Sequence, residues 1–506
     1  MKGLFCQYRE MVAKFLILVL AFTFLLASCN YKDTSELMDL EDFNTASIER
    51  GYDLYIYNSN INYCEEFKNM CADYESETGI KVKSSSPDVD QDYIEILKAE
   101  INSKNKPSIF SLRSGRDLKK LEQFCLDFST KIDDKLELFV KDIPESLQLT
   151  LNKKSSFGVP VGIGGYGYIV DCQMIKDLVG EELSEKFLDD VKIASYREFE
   201  LFLKALWAYI KNEKPGVVTF SGNKYPLLSK KTGKVNNLKE IFSIAAPLKE
   251  KYGEGRVNQA VNAVFASQME AIQATERQIK ALKAPIIKYA KLLELMSIYG
   301  FSVGDNADYI AEFANGNSFF LEGGSWVYEK IEKLNPDLAK GLHFVPIKMP
   351  LEQKDIKVNG LSAEKFRNSI SVFALNYYAI NSQVGQQEQK LAQDFLLWLN
   401  ASKTGRDYLI NKFKLIPYGV NKENEVSSAE EPIEFINSLG RSILSYTISG
   451  NILAAASYGA PRTWVESTMD WLKIQEFFIK KLTWNEQNYE NFADEGIAKW
   501  KKLKNE

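Results

Sequence analysis

In 506 residues there is a single histidine, His343, set in the apolar run GLHFVPI. A Ser-His or Cys-His nucleophilic pair therefore has one possible base, and a histidine in such a run reads as a core or strand residue. Six cysteines are present, but none forms Cys-x-x-Cys or a Cys/His spacing that would hold zinc. The loop G-x-x-x-x-G-K-[ST], whose backbone amides cradle nucleotide phosphates, is also missing. Basic charge is in deficit, with 63 Lys and Arg against 68 Asp and Glu, whereas nucleic-acid binders carry a basic patch and commonly a high pI. One enzyme class survives these exclusions. A glycosidase needs only two carboxylates about 5–9.5 Å apart, and sequence cannot sort the acids by distance.

What is present begins with ordinary globular values, 45% hydrophobic and 26% charged residues, which exclude a disordered or fibrous chain. Lys2, Arg9 and Lys14 precede an apolar run of thirteen residues, Phe15 to Ala27. That run is short of the about 20 residues a bilayer span requires. It ends on small residues directly before a cysteine, as a secretory signal peptide does. Leu26-Ala27-Ser28-Cys29 resembles the bacterial lipobox, which implies that residues 1–28 are a signal peptide, that Cys29 is lipidated, and that the protein is extracytoplasmic and anchored to the cell membrane. The mature chain would have 478 residues and a net charge of −7, too long for one hydrophobic core, so two or three lobes are expected. Residues 29–50, acidic, polar and without period, suit a flexible tether.

From Asp53 the pattern becomes regular. Asp53–Tyr57 (DLYIY) reads as a strand; Cys64, Phe67, Cys71 and Tyr74 recur at helical spacing; Gly79 stops that helix, and Ile80–Lys83 is a second strand. Ile94, Leu97 and Ile101 mark another helix before Pro107, and Ser108–Leu112 is a third strand. The alternation predicts a parallel, helix-covered sheet, with ligands at the carboxyl ends of its strands. That places Asn58, Ser59 and Arg113 as candidate ligand contacts, although Asn and Ser are also common turn formers and such an arginine often caps or faces solvent. Cys64 and Cys71 stand about two helical turns apart, too far to bond, and with Cys125 and Cys172 they read as buried free thiols.

The run YDLYIYNSN, FKNMCADYESETGIKVKSS and LKAEINSKNKPSIFSLRSG resembles the opening of extracellular solute-binding proteins of ATP-binding-cassette (ABC) importers, in the carbohydrate-binding family. Four later segments agree in order: FGVPVGIGGYGYIVD (157–171), FANGNSFFLEGGSWVYEKI (313–331), ISVFALNYYAIN (370–381) and KLAQDFLLWLNASKTGRDYLINKFKLIPYGVN (390–421). The resemblance implies a type II periplasmic-binding-protein-like α/β fold of two lobes, each a sheet flanked by helices, joined by hinge crossing strands, with sugar bound in the cleft between them. Mapped onto this chain, lobe one is 51–160 with 376–422 and lobe two is 161–375 with 423–506. A helical insertion at about 211–299 is longer than the family's equivalent, with a long helix expected from Val257 to Ala284.

A pyranose offers a flat patch of C–H groups and a rim of hydroxyls, so its site needs an aromatic face and planar or hydroxyl-bearing polar groups. Trp326 is the first candidate platform. It follows Gly323-Gly324-Ser325, where small residues admit close approach, and precedes a helix running to Glu332. Without the resemblance, a tryptophan on the apolar face of that helix reads as core. Tyr166 in the Gly-rich crossing, Asn376 and Tyr377 in the second crossing, and Arg462 in YGAPRTW rank below it, with Tyr458 and Trp464 as further aromatic surface. Each has an ordinary packing or capping alternative.

Asp88, Asp90 and Asp92 mimic a calcium loop, but Tyr93 replaces its glycine and Ala99 its glutamate. Neighbouring Tyr377 and Tyr378 point to opposite strand faces, against a shared metal. The resemblance thus implies a monomeric sugar receptor, without catalytic residues, metal or other cofactor, that serves ABC permease subunits with a separate ATPase. The alternatives are a ligand-reporting co-receptor for a membrane sensor and a carbohydrate-active enzyme.

Overall fold

The apolar stretches that read as strands do pair. The structure, a computed structural model, describes residues 43, 47–59, 63–87, 93–130, 133–150, 155–210, 216–228, 242–246, 254–299, 308–417, 436–461, 464 and 484–503. Cys29, Asp88, Asp90, Asp92 and Arg462 lie outside them. Packing divides the chain into two compact units, residues up to Phe110 with Ile380–Phe395, and Ser111–Ala379 with Leu396 onward. This is a different partition from the lobe limits expected from the resemblance.

In the first unit, Leu54–Tyr57 is buried along its whole length. It pairs in parallel with Val82–Ser85 on one side and with Ile109–Leu112 on the other, Ile56 opposite Ile109. The helix Cys64–Thr78 buries Phe67, Met70, Cys71 and Tyr74, and ends at Gly79 with φ 76°, a left-handed cap that glycine adopts without Cβ strain. The second strand starts two residues later than its apolar pattern suggests. Ile80 and Lys81 form the exit from the cap, and the Lys81 amide is held by an Asp53 carboxylate oxygen at 2.9 Å.

The stretch expected as a flexible tether is ordered at its end. Ser47–Arg50 form a helical turn closed by the Gly51 amide on the Ser47 carbonyl at 2.8 Å. Arg50 then pairs with Glu388 at 2.9 Å, with only 13% and 7% of the two side chains exposed. The Ser108 hydroxyl donates to the other Glu388 oxygen. A largely buried charge pair with a third partner outweighs the polar character of the preceding residues.

The second unit is built on a six-stranded mixed sheet. Its centre is Ile163–Asp171, nine buried residues. Ile370–Ala374 lies antiparallel on one side and Ser318–Gly324 on the other, with Leu342–Val345 pairing its far end. Ile452–Leu453 and Phe242–Ala245 extend the sheet outward in parallel. The single long helix expected over 257–284 is instead three short ones, Glu254–Asn262, Gln268–Ile272 and Glu276–Ala281. Ser267 and Thr275 interrupt it, because each side chain accepts an amide of the following turn and so starts a new helix. The long helix lies further on, at Lys283–Tyr299. It packs against Glu486–Leu503 through Lys283 with Glu490 at 2.6 Å and Asp494 at 2.9 Å.

Among the described cysteines, Cys71 and Cys125 are buried, Cys64 and Cys172 are half-buried, and all four are free thiols. No helix among the described residues is long and apolar enough to cross a membrane.

Candidate ligand-binding site

The sheet of the second unit converges on Trp326. Ser318–Gly324 ends in a 3-10 turn, Ser325–Val327, before the helix Tyr328–Leu334. Trp326 is 40% exposed, yet it stands on buried aromatics. Its ring lies 5.9 Å from that of Tyr166 and 6.2 Å from Phe373, and Phe373 in turn lies 5.5 Å from Tyr458.

Two glycines make this stack possible. A Cβ on Gly324 would fall inside Trp326 ring atoms Cε3, Cζ3 and Cη2, and one on Gly164 would meet Phe373 Cε2 at 2.8 Å and Ser325 Oγ at 3.1 Å. Side chains at either position would lift the aromatic rings off the strands. The strand register brings the three strands that carry these rings together, since Tyr166 is opposite both Gly324 and Ser371.

The remaining sequence candidates fall in different places. Tyr166 is fully enclosed; its hydroxyl donates to Glu322 at 2.9 Å. Tyr377 is also enclosed, paired opposite Pro160, and burial raises its hydroxyl pKa, so it remains protonated at neutral pH. Tyr166 thus lies within the six-stranded sheet, whereas Tyr377 belongs to a strand outside it, Tyr377–Ile380. Ser325 is half-buried beside the platform, and Gly324 forms its floor. Arg113 is half-buried in the same unit, its amide donating to Asp117 at 2.7 Å before a helix that Ser114 caps. Asn58 and Ser59 belong to the first unit, buried at the carboxyl end of its central strand, with the Asn58 amide on the Ser85 carbonyl at 2.8 Å.

Trp464 does not offer aromatic surface. It is fully buried against Trp500 at 4.5 Å, with its indole N–H on the Gly496 carbonyl at 2.7 Å. The C-terminal helix covers it, and nothing local in YGAPRTW signals that.

Glu322 is a residue the sequence did not single out. It is a carboxylate with no exposed surface beneath the aromatic stack, and its signal is only an acid embedded in the apolar run SFFLEGG. Asn376 is 3% exposed, and neither end of its side-chain amide has a hydrogen-bond partner among the described residues. The arrangement as a whole is an exposed indole over buried aromatic rings, with Ser325 and Glu322 beside them. It suits binding of a ring with apolar C–H faces.

A family profile described as bacterial extracellular solute-binding protein matches residues 69–425. The chain belongs to that family. No curated protein matches its sequence. Among solved structures, this solute-binding protein is similar to a family 1 extracellular solute-binding protein from Bifidobacterium longum subsp. infantis, at 15% identity and TM-score 0.56, over 89% of this chain and 99% of the other. RafE from Streptococcus pneumoniae gives 14% identity and TM-score 0.55, over 88% and 97% of the two chains. A cyclo/maltodextrin-binding protein complexed with maltotetraose gives 12% and 0.54, over 88% and 96%. At these identities the likeness establishes the fold, an α/β periplasmic-binding-protein-like architecture.

Proposed function

We propose that this solute-binding protein is the extracytoplasmic receptor of an ABC importer for carbohydrate. It takes a sugar ring on the exposed face of Trp326 and passes the sugar to permease subunits powered by a separate ATPase. The observation that carries the reading is Trp326 itself: an indole 40% exposed, seated on Gly324 and backed by Tyr166 and Phe373. Maltotetraose in a structure of like fold supports the ligand class.

In this reading Ser325 supplies a hydroxyl partner beside the platform and Arg113 a second polar group. Asn376 belongs with them, because a buried amide without a partner costs roughly 1–3 kcal/mol, which a bound hydroxyl would recover. Tyr166 holds the base. Cys29 carries the lipid that keeps the receptor at the membrane.

A thermal-shift screen of residues 30–506 against mono- and oligosaccharides tests the reading. Ligand at about 100 times its Kd adds about 2.7 kcal/mol to stability, a clear rise in midpoint. The shift should occur with one sugar class and be lost in folded Trp326→Ala. Silence across the panel would overturn the carbohydrate assignment, and a shift indifferent to Trp326→Ala would overturn the site.

A further inference from the structure

The second unit contains a cavity that shares no residue with the Trp326 platform. The helices Tyr196–Ile210 and Lys283–Tyr299 and the stretch from Trp484 to Tyr489 border an open pocket of about 410 Å³. Helical spacing builds two of its walls. Tyr196, Glu200 and Lys204 recur every four residues on the first helix; Lys291, Glu294 and Ile298 recur at three and four on the second. Each set therefore occupies one face.

The charges in this lining are already compensated. Glu200 pairs with Lys204 at 2.9 Å and with Arg197 at 2.6 Å, and Glu486 pairs with Lys291 at 3.1 Å. Glu294 accepts the Trp484 backbone amide at 3.2 Å and the Tyr489 hydroxyl. An ionic ligand would have to break one of these pairs. A neutral hydroxyl would not, since it donates to a carboxylate and accepts from an ammonium at the same time.

The apolar lining is mainly aromatic. Trp484 packs on Tyr489 at 5.3 Å, Lys291 lies 5.0 Å over the Tyr489 ring, and Tyr196 and Tyr299 add further faces. Aromatic faces alternating with paired donors and acceptors match a ring that has C–H faces and a hydroxyl rim. The volume lies near the small end of the about 300–1,000 Å³ typical of small-molecule sites.

We propose that this cavity is a second binding site, for a neutral sugar ring of monosaccharide size, independent of the Trp326 platform. The test uses saturation-transfer NMR with the methyl glycosides of glucose, galactose and xylose on Trp326→Ala protein. At least one glycoside should give signals there, and Ile298→Arg added to that background should reduce them at least tenfold. Ile298 is 47% exposed, so arginine at this position obstructs the cavity without disturbing the core. Trp484→Ala, with folding checked by circular dichroism, should remove the same signals. The proposal is overturned if none of the three glycosides gives a signal on Trp326→Ala protein, or if the signals are indifferent to Ile298→Arg. Failure of the Trp326 reading would appear separately, in the thermal-shift screen, and would leave these outcomes unchanged.

Discussion

Adding one methyl group at Gly324 should disable the Trp326 platform while leaving the tryptophan in place. The backbone there is extended, with φ −104° and ψ 175°, so alanine meets no conformational strain. Its Cβ would overlap three atoms of the Trp326 ring, and the exposed indole is the group that must give way. Swinging it out forfeits the tilted contacts with Tyr166 and Phe373, about 0.5–1.5 kcal/mol each. Restricting the unfolded chain returns about 0.4–1 kcal/mol, so net destabilisation should be on the order of 1 kcal/mol. The effect on ligand should be larger. With 40% of Trp326 exposed, a side chain of roughly 250 Å² leaves roughly 100 Å² for a sugar to cover. At about 25 cal/mol per Å² that is about 2.5 kcal/mol, or roughly 70-fold in Kd. Isothermal titration with the sugar found by the screen, beside a denaturant melt, reads both quantities. A difference emission spectrum against Gly324→Ala/Trp326→Phe reports whether the indole has moved. If the indole moves into solvent and affinity is unchanged, Trp326 is not the platform.

Three further predictions concern the scaffold. Burial, with Lys192 and Arg441 nearby, pushes the His343 pKa down to about 4. The unfolded imidazole takes its proton near pH 6.5, so the folded state loses stability as pH falls from 6.5 through 4. The loss is at most about 3 kcal/mol, and His343→Gln should remove that part of the acid sensitivity in melts at pH 7 and 4.5. Glu388→Ala strands Arg50, which is largely buried beside it, and should cost about 3 kcal/mol in chemical denaturation. Lys348 is fully buried and donates to the Lys192 carbonyl at 2.6 Å and the Arg367 carbonyl at 3.2 Å. Lys348→Met removes both bonds at once and should lower stability by on the order of 3 kcal/mol, again by denaturant melt.

The elements of the first unit were legible because their information is local. Phe67, Cys71 and Tyr74 occur at helical spacing and are buried, and Gly79 caps the helix as its position in sequence suggests. Where the reading failed, a polar side chain competed with periodicity. Ser267 and Thr275 lie within an apolar helical pattern, yet each captures backbone amides and restarts the helix. Likewise Arg50 appeared to belong to a polar tether, because its partner Glu388 lies 338 residues away.

The candidate site shows the same division at closer range. That Trp326 follows two glycines is visible in the sequence, and it suggests a side chain brought close to the backbone. What makes the indole a platform depends on sheet register, which places Gly324 opposite Tyr166 and puts Phe373 over Gly164. These partners come from three segments separated by some 150 and 50 residues, and no spacing rule links them. Glu322 was hidden for a related reason: a lone acid in an apolar strand acquires its meaning from the Tyr166 hydroxyl, 156 residues earlier, that donates to it. Residue chemistry singled out the group proposed to meet a ligand, whereas the supports that hold it half exposed are products of the tertiary fold. Substitutions among those supports, Gly324 first, therefore test the site more sharply than removal of the tryptophan, because they change its placement and leave its chemistry intact.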